Sequence, residues 1–151
     1  MTRADEYLPR TKAEAVSLAY FALLMRRDMK GFAELWDENA TQHIPFVAEG
    51  FGNFVTSAFV GKDEIMKHYL VAFKNRRDHV FWIDNAHLTQ DPQTVIIEAH
   101  ARSLVGETGR IYENSYVCIF KIAGERIVEL REYVNPLQFM KAFEGGFNAH
   151  R

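Results

Sequence analysis

Val128, Leu130, Glu132 and Val134 alternate along one run of the chain, and only one of them is polar. In an extended strand these four side chains share a face, so a carboxylate interrupts an otherwise apolar stripe turned toward the interior. A buried acid among apolar neighbours is costly unless it is paired or does chemistry. Desolvation raises a carboxyl pKa toward neutrality, where the group both gives and takes a proton. Two readings stand for Glu132: an acid–base group, or the partner of an arginine that closes one end of the interior.

The next candidates follow from the same alternation. Asn114, Tyr116, Cys118 and Phe120 share one face of the preceding strand, and Asn114 and Tyr116 bring hydrogen-bonding groups to the strand that pairs with Glu132. Residues 94–104 set small Ile97, Ala99, Ala101 and Ser103 against polar Glu98, His100 and Arg102. Small inward side chains leave room either for bulky aromatics from opposite or for a ligand. His68 sits beside the apolar positions Tyr69 and Phe73 of a helical run; it is either a surface or capped histidine or a proton-transfer group. Tyr20, inside an apolar helical stripe, either fills the core or turns its hydroxyl into a pocket. His43, in an extended stretch before Pro45, is a further ring that could face a ligand.

Other chemistries find no support. The six histidines show no metal-ligand spacing and Cys118 stands alone, so no metal site is expected. There is no glycine-rich phosphate loop after a strand and no nucleophile elbow, and chemistry without a cofactor is expected.

The elements that must position these residues read as follows. Residues 1–10 form a leader without clear periodicity. Thr11 and Glu14 have capping-box spacing and open a helix over 11–27, with a broad stripe of Ala15, Leu18, Ala19, Ala22 and Met25 widened by Val16, Tyr20, Leu23 and Leu24. A short helix follows over 32–36, an extended stretch over 41–46, and a loop punctuated by Gly50, Gly52 and Gly61 over 48–61. A third helix spans 63–75. Strands are expected near 79–89, 93–105, 110–122 and 126–135, the last two joined by a turn at Gly124. Asn135 caps a final helix that starts at Pro136 and is stopped by Gly145 and Gly146. Helices first and hairpin-joined strands after argue for an α+β fold with a mostly antiparallel sheet. Strands this long curl, and a broad helix across them encloses a cone-shaped interior. One domain is expected over 11–144, with a tail over 145–151.

With 151 residues, 48% of them hydrophobic and twelve of them Phe, the chain can bury one large aromatic core. Its net charge of −2 and mixed signs offer no basic stripe for nucleic acid. The small cluster at Lys74, Arg76 and Arg77 reads as a solvated helix end. A lone cysteine, no signal-like leader and no apolar run of ~18 residues point to a cytoplasmic protein without a membrane span.

Three stretches carry a resemblance: residues 61–68, Gly-Lys-Asp-Glu-Ile-Met-Lys-His; Asp91-Pro92 running to Glu98; and Tyr112-Glu-Asn114 through Arg131-Glu-Tyr133-Val-Asn135. With the hairpin over 122–133 and the element order, they resemble the SnoaL-like polyketide cyclase and ketosteroid isomerase group of the nuclear transport factor 2-like superfamily. Within it they look most like the phenazine biosynthesis PhzA/PhzB proteins. The resemblance covers about residues 11–144. It implies a cone of curved sheet closed by helices, a homodimer, and a pocket in the cone for a small apolar or cyclic carbonyl substrate. It also implies His68 and Glu132 as acid–base groups and Tyr20 as an oxyanion-side donor. Tyr116, Asn114, His43, Cys118 and Val134 would then line the substrate. The isomerases' catalytic Asp falls near His43 and Ile44 and their second acid near Cys118, so their own mechanism does not carry over. The implied activity is a cofactor-independent isomerisation, condensation or cyclisation; a non-catalytic binding or dimerisation module of the same fold is the alternative.

Overall fold

The computed structural model describes residues 1–47 and 57–143. Strands β1 (Thr2–Arg3), β2 (Trp36–His43), β3 (Ala58–Val60), β4 (Arg76–Leu88), β5 (Thr94–Val105), β6 (Ile111–Ala123) and β7 (Arg126–Val134) form one curled sheet in the order β1-β4-β5-β6-β7-β2-β3. Every pairing is antiparallel except β2 with β7. Helices α1 (Lys12–Arg26), α2 (Met29–Glu34), α3 (Lys62–Phe73) and α4 (Pro136–Phe143), with a single 3-10 turn at Ala4–Glu6, complete the described fold. The α+β architecture with a curved, mostly antiparallel sheet is therefore as the sequence predicts. No helix among the described residues is long and apolar enough to cross a membrane.

The inner face follows the alternation. Ile97, Ala99, Ala101 and Ser103 of β5 are buried, as are Asn114, Tyr116, Cys118 and Phe120 of β6, while Glu98, His100 and Arg102 turn to the other side. The room beside Ala99 and Ala101 is filled by rings: Phe81 lies between Phe21 of α1 and Tyr116, and Tyr20 packs edge-on against Phe120.

Five departures have local causes. In β7 the interior stripe is Ile127, Leu130, Glu132 and Val134, because Lys121 faces Glu129 while Ile122 faces Ile127; Val128 is the extra residue of a β-bulge and is only half buried. In α1 Leu18 and Ala22 of the expected stripe are buried with Val16, Tyr20 and Leu24, but Ala13, Ser17 and Phe21 join them, and Ala15 and Ala19 are only partly covered. The second helix ends before Trp36, since the Leu35 carbonyl accepts the Ile127 N–H at 2.6 Å and sheet pairing begins there. The stretch expected to be loop up to Gly61 contains β3, paired to β2; Gly50 and Gly52 lie outside the described residues. The leader is docked: Thr2 and Arg3 pair with Ile83 and Trp82, and Ala4 is buried.

Capping explains the helix starts. Thr11 Oγ1 accepts the Glu14 N–H at 3.1 Å, but the Glu14 carboxylate turns outward from the box to take the Arg10 N–H at 2.9 Å and its guanidinium at 2.7 Å. Asn135 Oδ1 accepts the Leu137 N–H at 3.0 Å and starts α4 at Pro136. Gly61, at φ 91°, turns the chain into α3 while its N–H reaches the Ala40 carbonyl at 2.8 Å.

Candidate active site

Glu132 is 9% exposed and enters the interior from the middle of the β6–β7 ladder, directly across from Cys118. Its Oε1 accepts the Tyr20 hydroxyl hydrogen at 3.3 Å. The Tyr20 and Tyr69 hydroxyls are 2.7 Å apart. Since Tyr20 spends its hydrogen on the carboxylate, Tyr69 must donate to Tyr20, and the chain runs Tyr69 to Tyr20 to Glu132. None of the ion pairs between described residues involves Glu132, so the arginine-paired reading of this acid fails. Burial pushes its pKa up to about 7, against a smaller downward pull from the Arg76 charge and the Tyr20 hydrogen bond.

A cavity of about 30 Å³ lies against this carboxyl, lined by Tyr20, Ile44, His68, Arg76, Tyr116 and Phe139 among others. It is roomy enough for a water molecule or two. His68 reaches it from α3, its ring stacked on Phe59 of β3 at 4.4 Å. Burial first, and the Arg76 charge second, lower the His68 pKa to about 4. Near pH 7 the imidazole is therefore neutral, and the expectation that this ring titrates where a proton donor is needed is corrected by its desolvation.

Tyr116 brings the third hydroxyl. Asn114 Oδ1 accepts the backbone N–H groups of Ser115 and Asn135, which fixes its amide, and Nδ2 donates to the Tyr112 oxygen at 2.9 Å. The Tyr112 and Tyr116 hydroxyls are 2.6 Å apart. Either hydroxyl can donate in this pair, and with Tyr112 as the donor the Tyr116 hydrogen is left for the cavity. Desolvation raises the pKa of Tyr20, Tyr69 and Tyr116 well above the usual phenol value, so all three stay protonated donors.

The structure thus brings Glu132, Tyr20, His68 and Tyr116 to one cavity. Asn114 is spent on bracing, with Nδ2 also on the Asn135 carbonyl at 2.9 Å. Cys118 is a buried neighbour of Glu132 whose thiol burial pushes up. Val134 pairs with Tyr116 and borders an outer groove rather than this cavity. His43 is at the end of β2, where the cavity wall is its neighbour Ile44.

Two contributors escaped the sequence reading. Tyr69 looks like any apolar helix position, and only its contact with Tyr20 reveals it. Arg76 is 7% exposed, not solvated, because β4 carries an extra residue between Arg77 and Val80. Asp78 takes a positive φ of 52° there, and the shift turns Arg76 rather than Arg77 inward. Among the described residues, no cluster of three or more His, Cys, Asp or Glu side chains is arranged to hold a metal.

The sequence model of the SnoaL-like domain matches residues 18–130. The uncharacterised protein YesE of Bacillus subtilis (strain 168) is 34% identical over 128 residues, which are 85% of this chain and 84% of that protein. The crystal structure of a protein from Bacillus subtilis, described as a candidate isomerase, superimposes with a TM-score of 0.80 at 32% identity, covering 89% of this chain and 94% of that one. A phenazine biosynthesis-related protein (phzb2) of Pseudomonas aeruginosa shares the fold at a TM-score of 0.68 and 20% identity, over 87% of this chain and 84% of its own. Family match, sequence relative and superposition agree: the chain belongs to the SnoaL-like domain family and has the nuclear transport factor 2-like cone fold.

Proposed function

We propose that this protein is a cofactor-independent acid–base enzyme that moves a proton on a small cyclic ketone or amino-ketone, in an isomerisation, condensation or cyclisation. One observation carries the reading: a carboxyl buried with no ion pair among the described residues, with its pKa raised to about 7, at the wall of a cavity lined by hydroxyl donors. Ionised Glu132 takes a proton from the carbon beside the carbonyl. The Tyr116 hydroxyl meets the charge that develops on the carbonyl oxygen, and neutral Glu132 then returns the proton to a second atom. No oxidant or metal enters this balance. The Tyr69–Tyr20 chain holds the carboxylate while it is charged, and neutral His68 orients the substrate.

A cyclic substrate needs more room than about 30 Å³, so the walls given by Ile44 and Phe139 must yield on binding. The same small volume is what favours the second reading, a non-catalytic binding or dimerisation module in which Glu132 is structural. Deuterium exchange at the carbon beside the carbonyl, followed by NMR over a panel of cyclic ketones, separates the two. Glu132→Gln is expected to slow exchange by roughly 10²–10⁴-fold with an unchanged circular dichroism spectrum. Equal exchange in the variant would refute the enzyme.

A homodimer is part of the proposal. Trp82 and His100 stack at 5.0 Å on the outer sheet face beside a groove of about 560 Å³, a surface suited to a second sheet. Light scattering should return twice the 17.5 kDa chain mass. The lone buried Cys118 fits action in the cytoplasm.

A further inference from the structure

Arg76 opens β4 with its guanidinium inside a box of rings. The carbon of that group is 4.9 Å from the centres of Phe73 and Tyr112, 5.4 Å from Phe143 and 5.9 Å from Phe139. These faces offset part of the cost of burying a cation. They offer no acceptor for its five N–H groups. Its Nε–H is buried and finds no hydrogen-bond partner among the described residues, and no ion pair between them involves it. A planar donor fork, held open by apolar walls and lining the same cavity as Glu132, is built to meet two oxygens at once.

We propose that Arg76 is the anion-recognition group of this cavity, and that the ligand carries a carboxylate that docks on its guanidinium. The inference rests on the enzyme reading for the rest of the ligand, and it narrows the substrate class to a cyclic carbonyl compound bearing a carboxylate. The ring box supplies orientation: with Phe73 and Tyr112 against the cation, the fork can turn its edge toward the cavity, and the carboxylate that fills it sits on the Arg76 side of the hollow. The reactive carbon then falls toward Glu132, the other charged group of the lining. A purely structural cation, by contrast, would be indifferent to whether a ligand is charged.

The test uses acetate against acetamide and benzoate against benzamide, pairs alike in shape and unlike in charge. Binding is followed at about pH 6, where Glu132 is largely protonated, by the arginine Nε–H resonances of ¹⁵N-labelled protein and by thermal shift. The expected result is at least ~10-fold tighter binding of each carboxylate, with one arginine resonance moving. Arg76→Met should abolish the preference and the moving signal while keeping a cooperative melt, and Arg76→Lys should keep part of the preference. Equal affinity within each pair, no binding of any of the four, or a preference that survives in Arg76→Met would overturn the proposal. Because the readout is binding, a charge-indifferent cavity with an inactive Glu132→Gln sinks this inference alone. Charge preference with a fully active Glu132→Gln sinks the enzyme reading alone.

Discussion

Replacing Glu132 by Gln should make the protein more stable, and only on the alkaline side. The folded carboxyl titrates at about 7 against a reference of 4.5 for an unburied one. The folded state therefore binds the proton more tightly, and the group's contribution is fully present below the unfolded pKa and lost as pH rises through the folded one. A shift of this size corresponds to roughly 3 kcal/mol at 1.36 kcal/mol per unit. About 2–3 kcal/mol of it is lost between about pH 5 and pH 8. Gln is neutral at every pH, is nearly the same size and keeps an oxygen for Tyr20. Subtracting the variant's urea-unfolding free energy from that of the parent cancels His68, His79 and the surface carboxylates, and leaves this one titration. The difference should be under about 1 kcal/mol at pH 5 and should move by about 2–3 kcal/mol in favour of Gln at pH 8, or roughly 5–10 °C in Tm for a chain of this length. Parallel pH curves for the two proteins would mean that the carboxyl is ionised at ordinary cost, and the reasoning about a desolvated proton carrier would be wrong.

Three further outcomes follow from neighbouring groups. Tyr20→Phe removes the hydrogen bond that holds the Glu132 charge, so the acid limb of any pH–rate profile should move to higher pH, and urea unfolding should show a loss of about 1 kcal/mol. His68→Gln works in the opposite pH range: the folded imidazole titrates at about 4, below its reference of 6.5, so the parent loses stability as pH falls through that window and the variant should lose less, as read by melts at pH 4 and pH 7. Arg10→Ala leaves the fully buried Glu14 carboxylate without its cation and frees the leader from the Ala86 carbonyl; denaturant unfolding should report a loss of roughly 1–2 kcal/mol, and the amides of Thr2 and Arg3 should lose protection from hydrogen exchange.

What the sequence discloses here is what a period of two can disclose. Leu130, Glu132 and Val134 share the inner face because no extra residue separates them, and Asn114, Tyr116 and Cys118 do for the same reason. The alternation fails where a strand takes one residue more than its partner, a pairing event that local spacing cannot register: Val128 is displaced from the stripe in β7, and Arg76 is carried inward in β4. The second failure matters more. A basic cluster after a helix normally stays in water, since nothing in the local chain repays the desolvation of a guanidinium. Here the repayment is assembled at a distance, by Tyr112 from β6 and by Phe139 and Phe143 from α4, with only Phe73 nearby in sequence. Burial sets the neighbouring pKa values and the Arg76 charge adjusts them, holding Glu132 from rising further and adding to the fall of His68. That coupling makes Arg76 more than a binding group. An anion placed on it would cancel the pull on Glu132 and let that pKa climb, so arrival of a carboxylate would make the ionised group a stronger base while leaving less of it ionised near pH 7. Parent and Arg76→Met should therefore differ in the Glu132 carboxyl ¹³C titration, with the variant's midpoint above about 7. Benzoate should move the parent's midpoint the same way and leave the variant's where it is.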